Sequence, residues 1–193
     1  MYAHSRSKAV LVVLLSLALF ATGCSAKWIS VALADLPVLL QMALNIGTVV
    51  TTLESGQQLT SAEAAAVQNI SSQASKDLNL LKTLYNQYKA APSAGTLQKI
   101  QSAIADMNQN LPALLQASHV SDPVVASRIA AAVNLILSTV NSFATLLPQA
   151  TAQAQAKTTI PHADDLKKKW NQQVCGPSGT AALDSSLAAC PVK

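Results

Sequence analysis

Residues 60–88 read TSAEAAAVQNISSQASKDLNLLKTLYNQY, and the fold follows from how that stretch is read. Val67, Ile70, Ala74, Leu78, Leu81, Leu84 and Tyr88 recur three and four residues apart, which draws one apolar stripe along an α-helix. The start is punctuated too. In Thr60-Ser61-Ala62-Glu63 the threonine hydroxyl and the glutamate carboxylate each satisfy a backbone donor of the other residue, a capping box.

Three more stripes flank this one. Leu36, Leu39, Ala43, Ile46, Val50 and Leu53 form the first, and Leu97, Ile100, Ile104, Met107, Leu111 and Leu114 the third. Val125, Ile129, Val133, Ile136, Val140, Phe143 and Leu147 form the fourth. The links are short: residues 54–59 contain Gly56, and residues 90–95 contain Pro92 and Gly95. Asp122-Pro123 sets a capping carboxylate before a proline at the first helical position, and Pro148 closes the fourth helix. Helices of similar length joined by short links favour antiparallel neighbours. The expected fold is therefore all-α: an up-down-up-down antiparallel four-helix bundle over residues 24–148. Pro112, inside the third stripe, is expected to kink or split its helix. The segments 36–41 (LPVLLQ) and 111–116 (LPALLQ) echo each other, by duplication of a hairpin or by convergence in leucine-rich helices.

Upstream of the bundle, Arg6 and Lys8 precede an apolar run over residues 9–21, which ends in Thr22-Gly23-Cys24. Positive start, short apolar core and small-residue end describe a secretory signal over residues 1–23. The run is shorter than the ~18–20 residues that span a bilayer. Ala21-Thr22-Gly23-Cys24 resembles the lipobox of bacterial lipoproteins, with Ala21 where leucine is usual. That resemblance implies cleavage before Cys24 and a lipid on its sulfur. It covers residues 1–24 alone. Through that lipid the chain is expected to be membrane-anchored in the cell envelope and periplasm-facing, with Ser25 favouring the outer membrane. The alternative is an ordinary secretory cut after Ala26.

Downstream, residues 149–162 read as a linker or helix extension and residues 163–193 as a C-terminal appendage. Leu166, Trp170 and Val174 share one side of a short helix, and Asp164 and Asp165 suit its positive N-terminal end. Lys167, Lys168 and Lys169 read either as solvated side chains or, with Trp170, as a contact for anionic lipid. The protein has three cysteines. Pairing Cys175 with Cys190 in an oxidising compartment leaves Cys24 as the odd one, which lipidation accounts for. A disulfide around that loop contributes about 3 kcal/mol in the chain-entropy model.

Composition narrows the function classes. Arg6 and Lys8 leave with the signal, so 11 basic residues face 9 acidic ones, a formal +2. That lacks the clustered charge of a nucleic-acid binder. Charged residues are 11% of the chain, and aromatics 4%. No Gly-x-Ser-x-Gly elbow, Glu-x-x-His metal motif, haem-attachment motif or phosphate-cradling glycine loop occurs. His119 near Asp122 is the nearest approach to a catalytic pair. The expectation is no enzyme, cofactor or metal, but a helical structural or protein-interaction module. The alternative is a carrier of an apolar small molecule, with Ala43, Gly47, Ala74, Ala130 and Ala144 leaving space between helices. Asp35, Gln41 and Asn45 argue against a lipid-exposed span near Trp28.

Overall fold

A computed structural model of the chain describes residues 25–56, 58–147, 162–177, 179, 181–188 and 190–192. Cys24, the signal over residues 1–23, Pro148 and most of the linker over 149–162 lie outside the described residues. The described residues are all-helical, with six helices and no strand: α1 (Ser25–Ser55), α2 (Ser61–Ala90), α3 (Ala94–Ala117), α4 (Pro123–Ala144), α5 (Ala163–Gln173) and α6 (Ala181–Ser186).

The helix starts follow local chemistry. At α2 the capping box is complete: the Thr60 hydroxyl accepts the Glu63 amide, and Glu63 Oε2 accepts the Thr60 amide at 2.8 Å. Ser93 caps α3 by accepting the Thr96 amide. Asp122 Oδ1 accepts the amides of Val124 and Val125 at the head of α4, with Pro123 at the first position.

The stripes become the core. Every stripe residue of α1, α2 and α4 is buried, as are Ile100, Ile104, Met107 and Leu111 of α3. Helices α1 to α4 pack in a closed ring, each on the next and α4 back on α1. At one end of the ring Trp28 meets Tyr85 and Tyr88, with ring centroids 5.6 and 5.9 Å apart, and Tyr85 meets Phe143 at 6.4 Å. At the other end Glu63 reaches Ser121. Two helix spans, Trp28–Glu54 and Pro123–Ala144, are long and apolar enough to cross a membrane, yet each buries about half of its residues inside the protein.

Two expectations need correction. Helix α3 runs unbroken through Pro112, so of the kink or split expected there the split does not occur. Met107 and Leu111, fully buried in the turns that lead into it, hold the segment on the core, while Pro112 itself is half-exposed. The second correction is α6, a six-residue helix inside the cysteine loop, where only a turn is read from the sequence. Six residues carry too short a pattern for periodicity to register.

Candidate functional site

The feature that chemistry sets apart is the appendage stapled across α1 and α4. Leu166 and Trp170 of α5 are fully buried, and α5 packs against both α1 and α4 while α6 packs on α1. The helix has an amphipathic sequence that buries only this one side, so its position is set by what receives that side. Polar groups from the bundle then bind its backbone at both ends.

At the start of α5, His162 occupies the cap position without a side-chain capping bond. Asp35 of α1 takes that part instead, its carboxylate accepting the Ala163 amide. Asp35 is 2% exposed. Burial raises its pKa above the ordinary aspartate value, with His162 and the Ala163 amide pulling the other way. Its Oδ2 has no hydrogen-bond partner among the described residues. At the far end of α5, the half-buried Arg128 of α4 donates Nη1–H to the Val174 carbonyl and Nη2–H to the Gly176 carbonyl. This straddles Cys175.

The Cys175–Cys190 disulfide closes the loop, with Cα atoms 5.6 Å apart. The Cys190 carbonyl accepts from Trp170 Nε1 at 3.1 Å and from Asn45 Nδ2 of α1 at 3.2 Å. Asn171 exchanges two hydrogen bonds with the Val192 backbone. Each bond to a peptide group fixes chain direction as well as position. The terminal segment is held by covalent, apolar and polar means at once.

The second polar centre joins α2 to the α3–α4 loop. Glu63 Oε1 accepts both the Ser121 amide, at 2.6 Å, and the Ser121 hydroxyl. With Thr60 on Oε2, the carboxylate is hydrogen-bonded on both oxygens, and these bonds hold its pKa down to about 2.

Between α1 and α4 the described residues leave little internal space. The apolar recess lined by Ile46, Val49, Leu53, Val125, Ile129 and Val174 measures about 10 Å³, room for at most one water. Small residues bring helices together here instead of opening space. A Cβ on Gly47 would lie 3.0 Å from the Ser71 hydroxyl, and that hydroxyl donates to the Ala43 carbonyl of α1 at 2.7 Å. The larger depressions are open grooves on the outside. One between α1 and α2, about 620 Å³, is lined by Leu44, Thr48, Thr51, Gln68 and Ser72. Another between α2 and α3, about 460 Å³, is lined by Leu80, Leu84, Lys99 and Asp106.

His119 and Asp122 each have a local structural setting. Asp122 Oδ1 is engaged by two amides of α4, and His119 lies exposed with φ 46°, in the left-handed region that follows the cap of α3. No group of three or more His, Cys, Asp or Glu suited to a metal occurs among the described residues. Cys175 and Cys190 are brought together, whereas Cys24 lies outside the description. From the sequence, Asp35 weighs only against a lipid-exposed span, and its place at the start of α5 is not legible there. What marks it in hindsight is isolation: one acid, eight residues past Lys27, in an otherwise uncharged run reaching to Glu54. No family model matches this chain, and no curated protein or solved structure matched it either.

Proposed function

We propose that the chain is a cell-envelope lipoprotein, anchored through lipid on Cys24 and facing the periplasm. Its bundle acts there as a helical structural or protein-interaction module. The lipobox-like Ala21-Thr22-Gly23-Cys24 supports the anchor, and the odd cysteine left by the Cys175–Cys190 pair agrees with it. The observation that carries the choice of module over carrier is the small size of the apolar recess among the described residues. A recess of about 10 Å³ falls far below the ~300 Å³ that a small-molecule site occupies. Ala43 and Ala74 are fully buried in packed contacts, the ordinary role of small residues between close helices.

The bundle is proposed to run up, down, up, down. Trp28 near the start of α1 beside Tyr85 and Tyr88 near the end of α2 supports this, as does Glu63 near the start of α2 beside Ser121 ahead of α4. Such a body offers outer faces and grooves, the surfaces on which proteins meet.

Two measurements test the reading. Intact mass of the mature protein from bacterial membranes is expected to show cleavage before Cys24 and added acyl mass. An unacylated chain starting at Lys27 overturns the anchor. Crosslinking in the native envelope followed by mass spectrometry is expected to join the outer residues of α1 to α3 to another envelope protein. Retention of a stoichiometric apolar small molecule by the purified protein would instead favour the carrier.

A further inference from the structure

Charge is distributed along the bundle in a way that its small net value conceals. The ring contacts of Trp28 with Tyr85 and Tyr88 bring the end of α2 beside the start of α1. Residues 91–93 alone separate α2 from α3, so the start of α3 lies at the same end. Tyr85 against Phe143 brings the end of α4 there as well. Among the described residues of α1 to α4, the charged ones nearest this end are basic: Lys27 in the first turn of α1, Lys82 and Lys89 late in α2, and Lys99 early in α3. Lys82, Lys89 and Lys99 are exposed. At 1.5 Å per residue they stand within about 12 Å of their helix ends.

The acids stand farther back. Asp77 lies about 20 Å from the end of α2, Asp106 about 18 Å from the start of α3, and Asp35 about 15 Å from the start of α1. Asp35 meets the Ala163 amide, so Asp164 and Asp165 begin at that same depth. The opposite end carries Glu54, Glu63 and Asp122, while its arginine, Arg128, is bound to two backbone carbonyls. The molecule is basic where α1 begins and acidic where α1 ends.

We infer that the basic end is a docking face for anionic lipid headgroups, which stands the bundle upright on the membrane. The inference rests on the proposed lipid anchor in one respect: Cys24 directly precedes Ser25, the first residue of α1, so an acylated Cys24 delivers this end to the headgroups. Anchor and charge then act at one place. Attraction of lysines to an anionic surface falls off over about a Debye length, ~8 Å at physiological salt, so only lysines held near the surface take part. Lys89 and Lys99 meet that condition at this end, whereas Lys82, about 12 Å back along α2, and Lys168 and Lys169, behind Asp164 and Asp165 on α5, do not.

The test uses the full chain, expressed in a bacterium that processes lipoproteins and then inserted into vesicles of phosphatidylcholine alone or with phosphatidylglycerol. Lysines are labelled with a membrane-impermeant amine reagent and read by peptide mass spectrometry. Lys89 and Lys99 are expected to label roughly threefold more slowly on the anionic vesicles, and Lys82, Lys168 and Lys169 at nearly unchanged rates. About 1 M salt, where the Debye length is ~3 Å, removes the protection. K99E, at an exposed position, weakens it at Lys89. Equal labelling on the two vesicle types, or equal protection on both, overturns the face. Flotation with phosphatidylcholine vesicles reports the anchor separately. A chain that floats without anionic-specific protection keeps the anchor and loses the face. A chain that does not float, yet is protected on the anionic vesicles, keeps the face and loses the anchor.

Discussion

Replacing Gly47 with alanine tests how closely α1 and α2 are packed. In a helix interior the change is worth about 0.8–1.0 kcal/mol in favour of alanine. The added Cβ, however, would lie 3.0 Å from the Ser71 hydroxyl and 3.0 Å from the Gln68 amide. Gln68 is exposed and swings aside at little cost. Ser71 is 3% exposed and its hydroxyl is pinned to the Ala43 carbonyl, so it yields only by stretching that bond. A bond of this kind contributes about 1 kcal/mol, and forced overpacking costs about 1–3 kcal/mol. The clash therefore exceeds the propensity gain, and Gly47→Ala is expected to destabilise by about 1 kcal/mol. Ser71→Ala alone loses about 1 kcal/mol, because the Ala43 carbonyl keeps its helical partner. With Ser71→Ala already present the obstruction is gone, and Gly47→Ala is expected to stabilise by up to about 1 kcal/mol. Urea unfolding of the four proteins, followed by far-ultraviolet circular dichroism, gives the coupling, expected near 2 kcal/mol. A coupling below about 0.5 kcal/mol, with alanine acting the same way in both backgrounds, refutes the reasoning.

Four further outcomes are expected. Cys175→Ala with Cys190→Ala, which frees a loop closed over a sequence separation of 15, should lower unfolding free energy by about 3 kcal/mol, and an unchanged urea midpoint would count against the staple. Glu63 has its pKa lowered to about 2 from 4.5, so its contribution is present above pH 4.5 and is lost as pH falls toward 2. Wild type should then lose more stability over that window than Glu63→Gln, measured by thermal melts. For Asp35 the pKa is raised, which favours the folded state below its unfolded value of 3.8 and penalises it as pH rises through the folded value. Asp35→Asn should accordingly gain melting temperature relative to wild type at pH 7 more than at pH 4, and the opposite trend would reject burial as the dominant effect. His119→Gly relieves a positive φ after the cap of α3 and should stabilise by roughly 0.5–1 kcal/mol, read by urea denaturation.

The agreement between pattern and fold is closest where both ends of an interaction lie within one turn. Thr60 with Glu63, Ser93 with Thr96 and Asp122 with Val124 are pairs two or three positions apart, and the apolar stripes need only the period of the helix. The stripes underestimate burial where a helix is covered on several sides. Leu135 and Leu137 flank Ile136, and all three are buried, because α4 receives α3, α1 and α5 together.

The primary structure by itself determined the helices, their caps, the lipobox-like cysteine and the absence of familiar catalytic motifs, because each rests on neighbours a few positions apart. Tertiary packing alone decided the rest. It chose Asp35 to cap a helix that starts at residue 163, Arg128 to grip the chain around Cys175, and Glu63 to bind Ser121 across 58 positions. It also gathered Lys82, Lys89 and Lys99 at one end. Partners so distant leave no periodic trace along the chain, since which side chains meet depends on how whole helices are laid against one another.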